Sequence, residues 1–354
     1  MAQKLRLLLL IPHLGGGGAE QVTALLAGGL SREKYEVHLA LVTQKSPPAE
    51  TLPPWIAVHL LGAARVRSGA FRLLRLVHRL KPDLILSGMA HLNFLVLLLR
   101  PFYPRKTRVF VRQNTTVSSV LAFGKVPWYT RMFYRRLYPH ANKIICQSRA
   151  MADDLAREVR IKKDRIVVLP NPIDIDEISA ANKQPAHLTV SRTSLWSNPG
   201  PHLLAVGRLA PEKGFDLLLQ ALALVRQRFP HADLAIAGSG PEESALRAQS
   251  IALGLGSAIH FAGYVNRPYE LYSQAALFVL SSRYEGMPNA LLEAYAGELP
   301  IVATPASQGL VDLLQGQPGT WLADNTSVEA LAATLIRALG ELSHGQRFQR
   351  YALS

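Results

Sequence analysis

The sequence predicts an α/β protein of two domains, each built on a parallel, doubly wound sheet. The chain has 354 residues, 49% of them hydrophobic and 18% charged, which is enough to bury two separate cores. Short apolar runs of strand length alternate with segments of helical spacing along most of the chain, as in parallel sheets whose strands are joined by helices. Near the middle, the prolines of Pro170-Asn171-Pro172 fix the direction of the chain where the first domain is expected to end.

The expected strands define the two domains and a connection between them. In the first domain, residues 1–170, the apolar runs of strand length are Leu5–Ile11, Glu36–Thr43, Ala57–Leu61, Asp83–Ser87, Arg108–Arg112, Lys143–Gln147 and Ile166–Leu169. Residues 171–201 are expected to be a hinge and linker, because residues 176–201 have no clear period and are rich in polar residues and proline. In the second domain, residues 202–354, the expected strands are His202–Val206, Asp233–Ala237, Ala258–Phe261, Leu277–Leu280 and Ile301–Ala303.

The positive charge is concentrated in the first half of the chain. The net charge is +14, and residues 1–165 hold 27 Lys and Arg against 9 Asp and Glu, whereas residues 166–354 hold 12 against 16. Between Arg65 and Lys143 there are 16 basic residues and a single acid, Asp83. This region should attract anionic lipid, phosphorylated acceptors or nucleic acid.

Two expected helices in this basic region, Ser68–Leu80 and Pro127–Tyr138, interleave arginines with aromatic and aliphatic residues. Basic amphipathic helices commonly lie on anionic membrane surfaces. The alternative is an ordinary half-buried helix whose arginine stems cover the edge of a core. No stretch reaches the roughly 18 apolar residues that span a bilayer, so attachment to the surface is expected and crossing is not. The single cysteine, Cys146, lies in an apolar run, which indicates a buried thiol and fits a reducing cytoplasm.

Residues 281–296 are the most informative stretch, because they read as a strand end, a tight loop and a helix. Gly286 permits a close turn, and Pro288 suits the start of a helix whose exposed amides attract anions. Glu285 precedes the expected helix Asn289–Ala296, and Glu293 lies inside this helix, about two turns beyond Glu285. A sugar nucleotide, with hydroxyls at both ends and phosphates between them, fits this arrangement. The alternative is that Glu285 only favours the helix dipole and Glu293 is a solvated helix residue.

Two other loops also suit phosphate. Residues 207–214 precede the expected helix Phe215–Arg228 and carry Arg208 and Lys213, two cations that can hold a diphosphate and stabilise the charge that grows on it as a sugar departs. A solvated loop with two basic residues is the alternative. The glycines of residues 15–18 would let backbone amides approach phosphate, although their spacing matches neither the dinucleotide nor the Walker motif.

Together these stretches resemble the signatures of family 4 retaining glycosyltransferases. Residues 285–294, Glu-Gly-Met-Pro-Asn-Ala-Leu-Leu-Glu-Ala, resemble the Glu-x7-Glu signature, which implies that Glu285 contacts the donor sugar and Glu293 the ribose. Residues 207–214, Gly-Arg-Leu-Ala-Pro-Glu-Lys-Gly, are similar to the loop whose Arg and Lys bind the donor phosphates. Residues 17–20, Gly-Gly-Ala-Glu, look like the N-terminal loop that approaches the donor phosphates and the acceptor.

The resemblance implies a GT-B fold, in which two Rossmann-like domains face each other across a cleft, the first for the acceptor and the second for the donor. It implies retaining transfer of a hexose or N-acetylhexosamine from a nucleoside diphosphate sugar, with UDP-sugar expected, and no metal or other cofactor. The implied catalytic residues are Arg208, Lys213 and Glu285. The implied donor-binding residues are Gly17, Gly18, Arg208, Lys213, Glu285, Gly286, Met287, Pro288, Asn289 and Glu293.

The expected acceptor is a lipid-linked glycan, because similar bacterial enzymes build surface polysaccharides or oligosaccharides. The protein is accordingly expected to be cytoplasmic and peripheral on the inner face of the cell membrane, without a nucleic-acid partner. Arg112 and Asn114 lie at the carboxyl end of an expected strand, where open α/β sheets bind ligands. Many family members have a His in this loop; here Asn114 or Gln113 takes its place, and the nearest histidine, His91, follows a different strand. Arg112, Asn114 and His91 are therefore the candidate acceptor-binding residues, with a structural role as the alternative for His91.

Two other functions are compatible with parts of the sequence. A sugar-nucleotide epimerase on the same fold would leave the product sugar on the nucleotide instead of moving it to an acceptor. A nucleic-acid-binding protein would explain the basic first half, although no recognised base-reading motif is present. Tight RNA binding without affinity for sugar nucleotides would favour the second alternative.

Overall fold

The computed structural model describes residues 3–14, 17–43, 52–123, 126–183, 196, 200–265, 268–342 and 346–348. The chain divides into two compact units, Met1–Pro172 and Ile173–Ser354. Each unit contains one sheet, and all the strand pairs in both sheets are parallel. The predicted class, parallel doubly wound sheets with helices, is confirmed.

The sheet of the first unit has seven strands in the order β3-β2-β1-β4-β5-β6-β7. The strands are β1 Leu5–Ile11, β2 Tyr35–Leu41, β3 Ala57–Leu60, β4 Leu84–Ser87, β5 Arg108–Gln113, β6 Lys143–Cys146 and β7 Ile166–Val168. The helices between them are α1 Gly18–Gly29, α2 Ala70–Leu80, α3 Ala90–Leu99, α4 Val117–Phe123, α5 Thr130–Leu137 and α6 Arg149–Val159. Cys146 is buried at the end of β6, as predicted.

The sheet of the second unit has six strands in the order β10-β9-β8-β11-β12-β13. The strands are β8 His202–Val206, β9 Asp233–Ala237, β10 Ile259–Gly263, β11 Leu277–Leu280, β12 Ile301–Ala303 and β13 Thr320–Leu322. The helices are α7 Ile175–Lys183, α8 Phe215–Arg228, α9 Glu243–Ala252, α10 Tyr269–Gln274, α11 Asn289–Ala296, α12 Gln308–Leu314 and α13 Val328–Glu341.

Both faces of each sheet are covered by apolar side chains. In β1, Leu8 and Leu10 pack into one hydrophobic cluster, whereas Leu9 and Ile11 pack into another. Successive side chains of a strand point to opposite faces, so the two clusters lie on opposite sides of the sheet. In β8, Leu203 and Leu204 are divided between two clusters in the same way. Burial on both faces explains why these strands are almost continuously apolar.

In each sheet the first strand lies inside the sheet, and the strand order reverses beside it. The reversal falls between β1 and β4 in the first unit and between β8 and β11 in the second. Open α/β sheets bind ligands at the carboxyl ends of their strands near such a switch point. The topology therefore brings the loops after β8 and β11 together, and separately those after β1 and β4.

The expected linker over residues 171–201 was wrong in part. The boundary between the units falls after Pro172, and residues 175–183 form α7, whose Ile178 is buried in the same cluster as Leu291. The backbone amide of Glu177 donates to Asp174 Oδ1 at 3.0 Å, so a side-chain cap starts the helix. The helix is too short for a clear apolar period and depends on packing. Residues 184–195 and 197–199 lie outside the described residues.

The edge strand β13, Thr320–Leu322, was not predicted. It has three residues and, among the described strands, pairs only with β12. So short a segment contains no readable alternation, and only the neighbouring strand identifies it as part of a sheet.

Candidate functional site

The loop after β8, residues 207–214, is packed against neighbouring backbone at its glycines. Gly207 N donates to Ala237 O at 2.9 Å, which ties the loop to the end of β9. The loop ends at Gly214, whose φ is +62°, and a Cβ there would lie 2.1 Å from the carbonyl oxygen of Ser281. Gly238 is also required, because its Cβ would lie 1.8 Å from Gly207 O. Glycine allows these close backbone contacts and the left-handed conformation of Gly214.

The loop after β11, residues 281–288, lies directly against this first loop. Ser281 Oγ donates to Lys213 O at 2.9 Å, and Arg283 N donates to Glu212 O at 2.8 Å. On its other side, the backbone amide of Glu285 donates to Ala306 O at 3.0 Å. The loop is therefore held by neighbours on both sides, as the switch point between β8 and β11 predicts.

Lys213 and Glu285 meet between these two loops. Lys213 Nζ donates to Glu285 Oε1 at 2.5 Å, and their side chains are only 20% and 13% exposed. Ser282 Oγ donates to the same carboxylate oxygen at 2.8 Å. The phosphate candidate and the sugar candidate are 72 residues apart in sequence, and the structure brings them into contact.

Arg208 lies at the more exposed edge of the site. Its guanidinium Nη2 donates to Glu212 Oε1, and 67% of its side chain is exposed. Tyr284 lies within the influence of these charges: burial raises the pKa of its hydroxyl, and the charges of Glu212 and Glu285 raise it further. Arg208 is thus accessible on the same loop that holds Lys213.

Glu293 is buried in α11, with 3% of the residue exposed, so its reading as a solvated helix residue was wrong. Tyr272 OH, from α10, donates to Glu293 Oε2 at 2.9 Å. Burial, strengthened by the charge of Glu293, raises the pKa of Tyr272 well above its ordinary value, which keeps the hydroxyl protonated. A buried carboxylate needs such hydrogen bonds.

The remaining predicted donor residues of the second unit connect the two carboxylates. Gly286 O accepts a hydrogen bond from Ser307 Oγ at 3.0 Å. Met287 follows, and Pro288 is the residue immediately before α11, which begins at Asn289 as predicted. Glu285, the loop and Glu293 thus form one continuous element at the edge of the sheet.

In the first unit, Gly17 and Gly18 begin α1. The carboxylate of Glu20 folds back beside Gly17, where a Cβ would lie 2.4 Å from Glu20 Oε2. His13 Nδ1 lies 3.7 Å from Glu20 Oε1. A carboxylate therefore lies at the start of the helix, where the sequence predicts phosphate. Gly15 and Gly16 are outside the described residues.

Arg112 is a buried cation at the end of β5, with 3% of the residue exposed. Its Nη2 donates to Asn171 Oδ1, but Nε and Nη1 have no hydrogen-bond partner among the described residues. Burial lowers the pKa of Arg112 to about 10, although the neighbouring Cys146 acts in the opposite direction. A buried charge with so few partners is costly to the fold.

Asn114 and His91 lie near the same edge of the first sheet. Asn114 Nδ2 donates to Gly88 O, close to the start of α3, where His91 lies. Desolvation lowers the pKa of His91, and the charge of His13 lowers it further. The structure therefore gathers the three predicted acceptor residues at one edge.

Gln113 points into the helix layer and not toward this edge. It is buried, its Oε1 accepts from Tyr138 OH at 2.6 Å, and its Nε2 donates to Thr115 O at 2.8 Å. Of the two residues that take the place of the family His, Asn114 is therefore the better placed for a ligand.

Sequence reasoning missed the polar residues that support the predicted site. Arg283 pairs with Asp216 at 2.6 Å and 2.8 Å, Tyr272 holds Glu293, and Ser282 holds Glu285. Asp216 carried a local signal, an acid in the first turn of α8, but its partner lies 67 residues away. No spacing rule connects residues so far apart.

Two kinds of feature are absent from the part of the chain that the structure describes. There, no group of three or more His, Cys, Asp or Glu side chains could hold a metal ion. None of the helices there is both long and apolar enough to cross a membrane.

Two family models match the chain, one in each half. Residues 16–177 match Glycosyltransferase Family 4, and residues 200–341 match Glycosyl transferases group 1. A relative from Campylobacter jejuni, N-acetylgalactosamine-N,N'-diacetylbacillosaminyl-diphospho-undecaprenol 4-alpha-N-acetylgalactosaminyltransferase, is 27% identical over 317 residues, which cover 86% of this chain and 82% of the relative. An uncharacterized glycosyltransferase of Methanocaldococcus jannaschii is 24% identical over 265 residues, which cover 72% of this chain and 63% of the relative.

Among solved structures, the Anabaena protein HepE in complex with UDP and glucose is similar, with a TM-score of 0.76 and 18% identity over 95% of this chain and 90% of that one. This likeness shows the GT-B fold. The chain belongs to the family 4 glycosyltransferases and is a transferase. The family and enzyme class that the sequence motifs predicted are confirmed.

Proposed function

We propose that this glycosyltransferase moves a hexose or N-acetylhexosamine from a UDP-sugar, with retention of the anomeric configuration, to a lipid-linked glycan acceptor in the synthesis of a cell-surface polysaccharide or glycan. The contact between Lys213 and Glu285 carries the donor half of this proposal. In a nucleoside diphosphate sugar, the anomeric carbon is bonded to a phosphate oxygen. A cation for phosphate and a carboxylate for sugar hydroxyls must therefore lie side by side, as these two do.

The chemistry assigned to the second unit is charge stabilisation. As the bond between the anomeric carbon and the phosphate oxygen breaks, its electron pair stays on the departing diphosphate. Lys213 and the accessible Arg208 stabilise that charge, and the N-terminus of α11 adds to their effect. Glu285 accepts hydrogen bonds from the donor sugar, and Glu293 accepts them from the ribose. The reaction so described uses no metal or other cofactor.

The first unit is assigned to the acceptor. Arg112, Asn114 and His91 lie at one edge of its sheet, and Arg112 supplies positive charge there. The name of the Campylobacter relative includes a diphospho-undecaprenol-linked glycan, which supports a lipid-linked acceptor for this chain. The diphosphate of such a carrier is an anion that a buried cation would bind.

A surface of the first unit fits attachment to a membrane. Around the turn between α4 and α5, Trp128 is 88% exposed, Phe123 66% and Met132 46%, and Arg135 and Arg136 of α5 are also exposed. We call these five residues the basic aromatic surface. Exposed aromatic and basic side chains together are typical of proteins that lie at a lipid interface. The proposed location is the cytoplasmic face of the cell membrane.

A panel of UDP-, GDP- and ADP-sugars tests the donor. We expect hydrolysis or transfer with a UDP-sugar, and a product sugar of unchanged anomeric configuration by proton NMR. Turnover with GDP-sugars alone would contradict the proposed base, and inversion would contradict the proposed mechanism.

Vesicle sedimentation tests whether the basic aromatic surface binds to membranes. Wild-type protein should bind vesicles that contain anionic lipid at low salt and be released near about 0.5 M salt, because the attraction is screened. The combination of Trp128→Ser and Arg136→Glu should weaken this binding, while the matched change of an exposed apolar residue in the second unit, Ile251→Ser, should not. If wild-type protein does not bind vesicles that contain anionic lipid, a soluble acceptor becomes the better hypothesis.

A further inference from the structure

Arg283, which the sequence did not single out, joins the two loops of the donor site by several hydrogen bonds. Its Nη1 and Nη2 donate to the two carboxylate oxygens of Asp216 at 2.8 Å and 2.6 Å, and Nη1 also donates to Pro211 O at 2.7 Å. Its backbone amide donates to Glu212 O at 2.8 Å. Ser281 Oγ donates to Lys213 O. Residues 281–283 therefore donate hydrogen bonds to three consecutive carbonyl groups, those of residues 211–213, in the turn that ends at Lys213.

This turn needs external support. Residues 211–213 form a single 3₁₀ turn, a structure with poorer hydrogen-bond geometry than an α-helix, and Gly214 follows in a left-handed conformation. Lys213 has a long, flexible side chain, so the place of its ammonium depends on where the turn holds its backbone. The bonds from residues 281–283 fix the backbone of Lys213 relative to the loop that carries Glu285.

The pair between Arg283 and Asp216 is better suited to positioning than to stability. The two side chains are 36% and 39% exposed, and exposed ion pairs add little to stability because water and salt screen them. Two parallel hydrogen bonds between a planar guanidinium and a carboxylate nevertheless fix direction. The pair is charged at neutral pH: burial alone would raise the pKa of Asp216, but the hydrogen bonds and charge of Arg283 lower it.

We propose that Arg283 and Asp216 are positioning residues, which hold the Pro211–Lys213 turn against the Glu285 loop so that Lys213 and Glu285 engage the donor together. The inference rests on the proposed function of Lys213 and Glu285. Neither Arg283 nor Asp216 is assigned a contact with the donor, and they act through Lys213.

A double-mutant cycle on the full-length protein tests this. Using the UDP-sugar that the panel identifies, kcat and KM are measured for wild type, Arg283→Gln, Lys213→Ala and the double variant. We expect Arg283→Gln to lower kcat about tenfold and Lys213→Ala about a hundredfold, with the double variant no worse than Lys213→Ala within about threefold. Asp216→Asn should match Arg283→Gln, and Arg283→Lys should recover only part of the activity because it cannot make both parallel bonds.

The matched control removes a similar ion pair elsewhere in the second unit. Arg247 pairs with Glu243 at 2.9 Å, with side chains 50% and 37% exposed, and Arg247→Gln should leave kcat unchanged. Melting temperatures of Arg283→Gln and Arg247→Gln should both stay within about 3 °C of wild type.

The outcomes separate the inference from the proposed function. Independent effects, with the double variant lowered about a thousandfold, would overturn the positioning role and leave the donor site intact. A wild-type value of kcat for Arg283→Gln would also overturn the positioning role and leave the donor site intact. Wild-type activity in Lys213→Ala would instead overturn the assigned role of Lys213, and the inference with it.

Discussion

The two sheets differ in how the cations at the carboxyl ends of their strands are compensated. In the second unit, Lys213 is paired with Glu285 at 2.5 Å, and Arg283 is paired with Asp216. In the first unit, Arg112 is buried, with two of its nitrogen atoms unpartnered among the described residues, and its Nη2 donates to a neutral amide oxygen, Asn171 Oδ1. One edge has its charges compensated, and the other holds a cation that is not.

The contrast indicates different tasks. A site whose cations are already paired keeps them in place without a ligand, so it meets the diphosphate and sugar of the donor with little rearrangement. A buried cation with few partners destabilises the fold, and proteins retain such groups where a ligand supplies the missing interactions. The predictions below test whether the two edges differ in this way.

The largest effect is expected at Lys213. Lys213→Ala, and separately Arg208→Ala, should lower transfer by about 10² or more, because both cations act on charge that grows in the transition state. The melting temperature of Arg208→Ala should change little because Arg208 is exposed, whereas Lys213→Ala should lower it, because the mostly buried Glu285 loses its cation. Steady-state kinetics and thermal unfolding measure the two quantities. Near-normal transfer by both variants would reject the donor site.

The two carboxylates of the donor site should separate binding from transfer. Glu293→Gln should weaken the binding of free UDP by about tenfold, because its proposed partner is the ribose. Glu285→Gln should leave UDP binding nearly unchanged and impair transfer, since its partner is the sugar. Calorimetry with UDP alone and kinetics with the UDP-sugar distinguish the roles. Equal loss of UDP binding in both variants would show that the roles are not divided.

In the first unit, a substitution that impairs acceptor binding is expected to increase the stability of the fold. Arg112→Met removes a buried, poorly compensated charge and keeps similar volume, so we expect the melting temperature to rise by about 3 °C or more while the KM for acceptor increases. Arg105→Met, at an exposed arginine of the same unit, should change neither quantity. A fall in melting temperature for Arg112→Met would mean that the charge is better compensated than its contacts indicate.

The smallest effect is expected at Tyr272. Tyr272→Phe removes the hydroxyl that donates to Glu293 and should lower UDP affinity about fivefold, the usual worth of one hydrogen bond. The ring stays in place within the core, where Tyr272 is 1% exposed, so the fold should survive. Unchanged affinity, measured by the same calorimetry, would show that the carboxylate is held without this bond.

Much of the fold and most of the candidate residues followed from local sequence. β1, β8, β9 and β11 begin and end where the apolar runs do, and α8 and α11 match the expected helices. Glu285 and Glu293 belong to one loop and the helix after it, so their spacing along the chain already relates them. The same holds for Arg208 and Lys213 on the loop after β8. These signals are readable because each depends on neighbours within a few residues.

The tertiary structure decided the contacts that organise the site. Lys213 and Glu285 are 72 residues apart, and Arg283 lies 67 residues from Asp216. Tyr272 reaches Glu293 from another helix, 21 residues earlier in the chain. The sequence determined which residues carry charge and at which strand ends they lie. The order of the parallel strands decided which of those charged residues are in contact. β8 and β11 are neighbours in the sheet, although β9 and β10 separate them along the chain.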